Sequence, residues 1–427
     1  MSSWEKFKNK LKSINELPEL RKKILFTLLM FLIARVGTHI PAPGVDIDRL
    51  KSMVNQNDIL SFINMFSGGA FTRVSIFALG VMPYINASII MQLLAVIIPK
   101  LDDIRKEGEA GRQKITQWTR YLTIVIAIVQ GFGVTVWLQT MGLVSTPGVA
   151  FAVNTITTLT AGTVFLMWLG EQISVYGIGN GVSQLIFLNI ISRLPSGLIS
   201  TVQKMSGSKF LVPLLALLVL LSFVVIAVIV LFQLGQRKIP IQYVGRGSVG
   251  KSVVAQNTYL PIKVNVSGIM PVIFASVLMA LPSMIVKALP STMPGYVILN
   301  RIFTNTHPVY LTVYALLIMF FAFFYTAMMF DPEKVADNLK QSGGTIPGIR
   351  PGNETVEYLE KVVTRITWVS AIFLALIAII PTIVSNATGI PQVFSGTGVI
   401  IMVGVVLDTV QQINAQMVMR NYEGFIK

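Results

Sequence analysis

Long apolar stretches separated by polar connections recur along the whole chain. Ten of them reach about 20 mostly apolar residues, the length that crosses the roughly 30 Å apolar core of a bilayer. They cover residues 22–40, 74–98, 116–138, 151–171, 178–198, 210–234, 264–289, 309–330, 366–385 and 393–411. The pattern predicts an all-α polytopic membrane protein with ten transmembrane helices. The fifth stretch is the weakest, and its polar residues predict an amphipathic helix that faces the interior of the bundle.

Lys and Arg residues are distributed unevenly between alternate connections. About three quarters of the 34 lie near the two termini or near the loops that follow even-numbered spans. Because positively charged connections stay on the cytoplasmic side, both termini are expected in the cytoplasm.

The composition changes which classes of protein need to be considered. Only 12% of the residues are charged and 53% are hydrophobic, whereas soluble domains carry about 25% charged residues. The chain is therefore expected to be a membrane protein. In such a protein the net charge of +15 first reflects membrane topology and is not by itself a sign of nucleic-acid binding. With no Cys and two His, no catalytic residue, cofactor site or metal site is predicted.

Of the segments expected on the cytoplasmic side, three are long enough to have roles of their own, and a fourth forms the tail of the chain. Residues 1–21 carry apolar positions at helical spacing among lysines, which predicts a cytoplasmic amphipathic helix; a solvated leader is the alternative. Residues 235–263 and 331–365 form two long cytoplasmic loops, which are expected to stand off the membrane as partner-binding surfaces. Residues 412–427 form a cytoplasmic tail.

The first outer loop, residues 38–73, contains a second apolar segment at 59–66 that is too short to span a bilayer. It is expected to fold back as a re-entrant helix, with packing on the outer face as the alternative. Pro83 falls in the middle of the predicted second span and is expected to bend it.

Two glycine-rich motifs suggest nucleotide binding at first sight. Residues 245–252 satisfy the Walker A pattern, but they lie in a connection of under 30 residues, whereas a P-loop needs a strand, a helix and a large α/β domain. The flanks at 239–243 and 258–262 predict two strands with a glycine-rich tip. Residues 177–181 open a predicted span and favour a helix start with close backbone approach.

Few charges lie inside the predicted spans, and most of them can reach an interface by snorkelling. They are Arg35 and Asp408, with Glu171 and Arg193 at span ends. A secondary transporter usually has a polar midplane site. The uncharged candidates for such a site are equally plausible as hydrogen bonds between helices; they are Asn86, Gln92, Asn180, Gln184 and Asn189. An inverted-repeat transporter of solutes or ions therefore stays open as an alternative.

Several longer strings resemble the SecY family, the central subunits of the bacterial protein-conducting translocon. The resemblance covers essentially the whole chain. The strings lie at residues 62–69, 78–85, 88–92, 106–112, 177–181, 271–275 and 346–352.

The resemblance implies two inverted five-helix halves, residues 22–200 and 201–411, with a plug helix at about 58–72. The implied plug residues are Phe62, Ile63, Asn64, Met65, Phe66, Ser67, Gly68 and Gly69. The implied apolar pore ring consists of Ile85, Ile89, Val182, Ile186, Ile273 and Ile401. Spans 2, 3, 7 and 8 would form a lateral gate toward lipid.

The same resemblance implies a channel that translocates unfolded polypeptides across the cytoplasmic (inner) membrane and releases transmembrane segments into lipid. The implied partners are SecE, SecG, the SecA motor ATPase, the ribosome, preproteins with signal sequences and membrane lipid, with no nucleic acid substrate. The implied contacts for the motor or the ribosome are Arg350, Arg237, Lys238 and Arg246. A lipid phosphate is the alternative partner for Arg350. The loop at 235–263 departs from the family in having a glycine-rich tip with few basic residues.

Overall fold

The computed structural model describes most of the chain. The described residues are 18–47, 49–50, 64, 66–205, 211–243, 258–288, 296–304, 307–388 and 396–423. The predicted N-terminal helix lies outside them except for its last four residues.

Helices dominate the described residues. The helices are α1 (Pro18–Gly37), α2 (Met82–Ile97), α3 (Pro99–Lys106), α4 (Glu109–Thr140), α5 (Val149–Tyr176), α6 (Gly181–Met205), α7 (Leu211–Leu234), α8 (Met270–Ala288), α9 (Tyr296–Ile302), α10 (Pro308–Met329), α11 (Pro332–Gln341), α12 (Asn353–Thr388) and α13 (Gly396–Glu423). Each predicted apolar stretch overlaps one of them.

Within the described ranges, five helical segments are long and apolar enough to cross a membrane. They are Glu109–Thr140, Val149–Tyr176, Pro308–Gln341, Asn353–Val384 and Gly396–Val418. A sixth candidate is the pair α2 and α3, which meet at an angle of 101°. The break has a local cause, since Ile98 adopts the extended conformation that a following proline favours. The count of ten spans stays a prediction.

The expectation that Pro83 bends the second span is wrong. Helix α2 begins at Met82, and Pro83 lies in its first turn, where a missing backbone N–H disrupts no helical hydrogen bond. Most of residues 74–81 form turns instead of helix. The second apolar stretch is thus an irregular segment followed by a helix of 16 residues.

The chain divides into two compact units. The first comprises Met1–Gln203, Val277–His307 and Val405–Lys427, and the second comprises Lys204–Ser276 and Pro308–Gly404. In the first unit an apolar core forms around the residues that follow the first span and around the ends of α4 and α5. Leu50, Leu138 and Leu159 are fully buried there.

The second unit contains a small antiparallel sheet. Strand β1 (Gln236–Tyr243) pairs with β2 (Thr258–Lys263) from Gln236 opposite Lys263 to Ile241 opposite Thr258. The two predicted strands are therefore confirmed, whereas the glycine-rich tip lies outside the described residues. A strand, and not the helix that a P-loop requires, follows this tip.

A short third strand joins the loops at 235–263 and 331–365 to each other. Strand β3 (Gly344–Thr345) pairs with Gln242 and Tyr243 of β1. Beneath the sheet, alternate residues of the strands pack on helix α12 in an apolar cluster. The buried members of the cluster are Ile239, Ile262, Ile346, Leu359 and Val363. The loops therefore share one folded core, which the sequence pattern did not predict.

Candidate functional site

The start of helix α6 is packed closely against its neighbours, as the glycine-rich motif predicts. A Cβ on Gly181 would lie only 1.8 Å from the carbonyl oxygen of Gly170 in α5. The Asn180 side chain accepts a hydrogen bond from the backbone N–H of Ser183, which is a helix N-cap. From helix α1, Thr27 Oγ1 accepts from the backbone N–H of Ile178. These contacts fix where α6 begins and which face it turns inward.

The inward face of α6 carries two of the three polar residues on which the amphipathic prediction rests, and the third, Arg193, is half-buried. Gln184 and Asn189 are 5% and 7% exposed. Gln184 Nε2 donates to Thr409 Oγ1 of α13 at 2.6 Å. Asn189 Nδ2 donates to the backbone carbonyl of Phe66 at 2.7 Å. The expectation that α6 faces the interior is confirmed, and the two amides bind different elements.

Residues 64 and 66–72 form what we call the plug base, in which residues 64 and 66 are helical, residues 67–69 form a turn and Phe71 begins a 3-10 helix. The carbonyl of Asn64 accepts from the backbone N–H of Gly69, and its side chain accepts from that of Thr72. Ser67 Oγ accepts from the backbone N–H of Phe71. Asn64, Phe66 and Ser67 are all at most 2% exposed. Short polar side chains thus satisfy backbone N–H groups at the start of the 3-10 helix, which have no partner within that helix.

Arg35 and Ser192 add a second attachment of the plug base to the helices. Arg35 Nη1 of α1 donates to the carbonyl of Gly68 at 3.1 Å and to Ser192 Oγ of α6 at 3.0 Å. Ser192 Oγ in turn donates to the carbonyl of Asn189. Gly68 has φ +65°, and a Cβ there would meet Asn189 Oδ1 at 2.6 Å. Only glycine therefore fits at position 68, between the side chains of Arg35 and Asn189.

Part of the predicted plug lies within the described residues. Asn64, Phe66, Ser67, Gly68 and Gly69 belong to the plug base. Phe62, Ile63 and Met65 lie outside the described residues, as do residues 58–61 of the predicted plug helix at 58–72. The re-entrant interpretation of that helix stays a prediction.

All six predicted ring residues lie on helices. Ile85 and Ile89 are 4% and 5% exposed on α2, and Ile186 is 1% exposed on α6. Val182, one turn before Ile186, is half-buried. In the second unit, Ile273 on α8 and Ile401 on α13 are 2% and 0% exposed. The assembly of these side chains into one ring stays a prediction.

Three of the four predicted partner contacts are described, and they are exposed basic residues of the second unit. The Arg350 side chain is 87% exposed, while its backbone N–H donates to Glu354 and its carbonyl accepts from Thr355 Oγ1. Arg237 and Lys238 are exposed on β1, and Lys238 Nζ lies 4.5 Å from the centre of the Tyr259 ring. Arg246 lies outside the described residues. The backbone around Arg350 is thus held, while its exposed guanidinium lies 3.9 Å from the Glu354 carboxylate.

Comparison with known proteins identifies the family. The sequence model of the SecY family matches residues 75–410. This chain belongs to the SecY family. It is 44% identical over 427 residues to the protein translocase subunit SecY of Streptomyces scabiei, covering 96% of this chain and 98% of that one. It is 45% identical over 423 residues to the same subunit of Halalkalibacterium halodurans, covering 96% and 97%. The chain is therefore a multi-pass membrane protein and a subunit of a protein-conducting channel.

Solved structures show the same fold at lower sequence identity. A structure described as a protein-conducting channel matches with a TM-score of 0.67 at 19% identity, covering 92% of both chains. A SecY structure, whose plug domain is described as stabilising the closed state and maintaining a membrane seal, matches with a TM-score of 0.62 at 20% identity and the same coverage. Sec61 in a canine ribosome-channel complex matches at 0.64 and 19%, also over 92% of both chains. The fold is that of a SecY or Sec61 channel, and a solute transporter is not favoured.

Two features of the site have weak sequence signals. Arg35 could be expected to snorkel, but its guanidinium binds the plug base, which lies 33 residues further along the chain. Asn189 stands among five equally plausible amides, and only the structure separates it from Gln184. A polar residue within a weak apolar span was the one signal in the sequence.

Proposed function

We propose that this chain conducts unfolded polypeptides through a pore closed by the six predicted ring residues and releases transmembrane segments sideways into lipid. The observation that carries the proposal is the burial of branched apolar side chains at the ring positions on α2, α6, α8 and α13. An apolar constriction coordinates no ion and gates by dewetting, so it tolerates any passing sequence. Release into lipid between spans 2, 3, 7 and 8 suits segments of about 20 apolar residues.

The chain itself is proposed to hydrolyse nothing, so energy comes from a partner. Among the described residues, no group of three or more His, Asp or Glu is placed to hold a metal ion. We propose the SecA motor ATPase and the ribosome as partners that contact Arg350, Arg237, Lys238 and Arg246. The ribosome is supported by the ribosome-bound Sec61 relative. SecE and SecG are proposed as companion subunits on the strength of family membership.

The proposed location is the cytoplasmic (inner) membrane with ten spans and both termini in the cytoplasm. The distribution of Lys and Arg between alternate connections supports this orientation. The halves at 22–200 and 201–411 would then have opposite orientations, because each contains an odd number of spans.

The ring assignment can be tested by disulfide cross-linking, since the chain has no native cysteine. Ile89→Cys is placed in the otherwise unchanged channel, which is reconstituted with its partners. A preprotein with a single Cys is then stalled in transit. We expect a disulfide between the two that forms only during transit.

Ile90→Cys is the matched control on the same helix. Ile90 is 39% exposed and Ile89 is 5% exposed, so the two side chains sample different faces of α2. The preprotein cysteine is moved through the neighbouring positions in turn. If transport proceeds and none of these positions forms a cross-link to position 89, α2 does not line the pore. Equal cross-linking at positions 89 and 90 would contradict a narrow ring.

A further inference from the structure

Two hydroxyl groups hold the backbone where α6 begins. Thr27 Oγ1 of α1 accepts a hydrogen bond from the backbone N–H of Ile178 at 3.2 Å. Ser174 Oγ of α5 accepts from the backbone N–H of Gly181 at 2.8 Å. Thr27 and Ile178 are 8% and 4% exposed, and a buried backbone N–H is costly to leave without a partner. The two hydroxyls therefore fix the position of the first residue of α6 and of the segment before it.

A third hydroxyl holds a side chain in the first turn of α6. Gln184 Nε2 donates to Thr409 Oγ1 of α13 at 2.6 Å, and Gln184 is 5% exposed. The predicted ring residues of α6 are Val182 and Ile186, and each lies about 200° around the helix from Gln184, because a turn takes 3.6 residues. A bond at Gln184 thus fixes the rotation of α6 about its axis, whereas the bonds before it fix the position of its end.

The three hydroxyls share one bonding pattern. Each donates its proton to the backbone carbonyl four residues earlier in its own helix. These carbonyls belong to Lys23, Gly170 and Val405, at 2.9, 3.0 and 2.6 Å. A hydroxyl has one proton and two acceptor lone pairs. Since the proton is used within its own helix, each oxygen can only accept a hydrogen bond from the α6 region.

All of these groups belong to the first compact unit. They lie within Met1–Gln203 and Val405–Lys427. Helices α1, α5 and α13 thus each contribute one oxygen to the placement of α6 within that unit.

We infer that Thr27, Ser174 and Thr409 are positioning residues that set the place and the rotation of α6. Through α6 they keep the side chains of Val182 and Ile186 in the ring that closes the idle channel. This inference rests on the proposed polypeptide-conducting function. It goes further by assigning part of the seal to three residues outside the six ring positions.

Substitutions that remove one oxygen at a time test the inference. Thr27→Val and Thr409→Val keep the shape of the side chain and remove its hydroxyl. We expect each to raise the ion leak of idle channels in vesicles about fivefold, the change in population that loss of one net hydrogen bond gives. Ser174 is exposed, so water can replace its oxygen and Ser174→Ala should raise the leak less. Thr27→Ser and Thr409→Ser retain the hydroxyl and should leak as little as the parent.

Thr123→Val in α4 is the matched control. Thr123 is fully buried, and its hydroxyl donates to the Thr119 carbonyl of its own helix. Among the described residues this hydroxyl makes no bond to α6. An equal leak from Thr123→Val and Thr27→Val would overturn the inference, because loss of any buried hydroxyl would then loosen the channel. A leak from Thr27→Ser as large as that from Thr27→Val would overturn it as well.

Amide hydrogen exchange of residues 182–187 tests the positioning apart from the pore. In the purified full-length protein, Thr27→Val and Thr409→Val should each speed this exchange about fivefold, and Thr123→Val should not. Either position decides alone if the variant at the other does not fold. Unchanged exchange would overturn the positioning role, whatever the channel conducts. Faster exchange with an unchanged leak would show that the hydroxyls hold α6 and that α6 does not seal the pore, which overturns the proposed ring instead.

Discussion

At the scale of single residues, glycines in the first unit permit contacts that no other residue would allow. Gly181 at the start of α6 faces the Gly170 carbonyl, and Gly162 in α5 faces the Ile76 carbonyl; an added Cβ would lie 1.8 Å from the oxygen in each case. Backbone atoms cannot move aside as a flexible side chain can. The position of α6, and with it the position of Asn189, therefore depends on the absence of a side chain at Gly181.

The first prediction concerns this close approach. Gly181→Ala is expected to lower the free energy of unfolding by about 1–3 kcal/mol, the usual cost of overpacking. Gly133→Ala in α4 is the matched control, because nothing lies within 4 Å of a Cβ there. The control should be neutral or stabilising by up to about 1 kcal/mol, since alanine is the better helix former. Thermal unfolding of the purified protein in detergent measures both, and equal midpoints would contradict the prediction.

The second prediction concerns Arg350, whose side chain is exposed while its backbone is fixed. Arg350→Ala is expected to leave the unfolding midpoint unchanged and to weaken binding of the motor ATPase or the ribosome by about tenfold, as for an interface hot spot. Lys361→Ala, an exposed cation paired with Glu357 on α12, is the control. Equilibrium binding to reconstituted channels measures the change. Equal affinities for the two variants would show that the Arg350 side chain does not contribute to binding.

At the scale of elements, helix α11 shows how one side chain sets a boundary. Asp331 accepts a hydrogen bond from the backbone N–H of Lys334 and so caps the helix. This N–H, and then the Lys334 ammonium, lower the pKa of the Asp331 carboxyl below its ordinary value. The charged form is therefore the one that stabilises the helix start.

The third prediction concerns that cap. Asp331→Ala is expected to destabilise α11 by about 1 kcal/mol at neutral pH, and amide hydrogen exchange of α11 measures the change. A lowered pKa in the folded state means that the stabilisation is present above the ordinary carboxyl value of about 3.9 and is lost as the pH falls through the lower, folded value. Asp331→Asn should keep the cap and show no such pH dependence. Similar exchange rates in the Ala and Asn variants would contradict the role.

The fourth prediction concerns the apolar cluster under the sheet. Ile346 is 4% exposed next to β3, so Ile346→Asp would bury an unpaired carboxylate. We expect the loops at 235–263 and 331–365 both to become sensitive to added protease while the membrane helices stay protected. Ser342→Asp, at an exposed position nearby, should remain as resistant as the parent. Cleavage confined to residues 331–365 would show that the two loops do not share one fold.

Patterns of apolar residues predicted the helices well, because a helix that crosses a bilayer needs about 20 mostly apolar residues and such stretches can be counted in the sequence. The two strands at 239–243 and 258–262 were also predictable, since turn residues bound them. The third strand has only two residues, and its pairing with Tyr243 joins positions about 100 residues apart. No local pattern carries that information, because the sheet forms from tertiary pairing.

The site was predictable in its residues more than in its contacts. Asn64 and Ser67 were named through family resemblance, and the structure adds that they satisfy neighbouring backbone groups. Asn189 and Arg35 were recognised as unusual polar residues in spans, but sequence periodicity gives a face and not a partner. Their partner is an irregular backbone segment, whose path no periodicity describes.

At the scale of the whole molecule, the fifth prediction concerns orientation. The chain has no cysteine, so Lys340→Cys in α11 and Val297→Cys in α9 can each be labelled alone. Both positions are exposed, and the charge distribution places the first in the cytoplasm and the second outside. A membrane-impermeant maleimide should label position 297 in intact cells and position 340 only after disruption. Labelling of both in intact cells would contradict the proposed topology.

The short sheet in the second unit has a mechanical consequence. Helix α7 ends at Leu234, and β1 begins two residues later. The Val264 N–H then donates to the Gly235 carbonyl at 2.9 Å and closes the ribbon at its base. This bond ties the end of α7 to the chain that leads from β2 into α8. A force on the hairpin therefore acts on the ends of two helices, because the chain leaves α7 to form the strands and continues from them to α8.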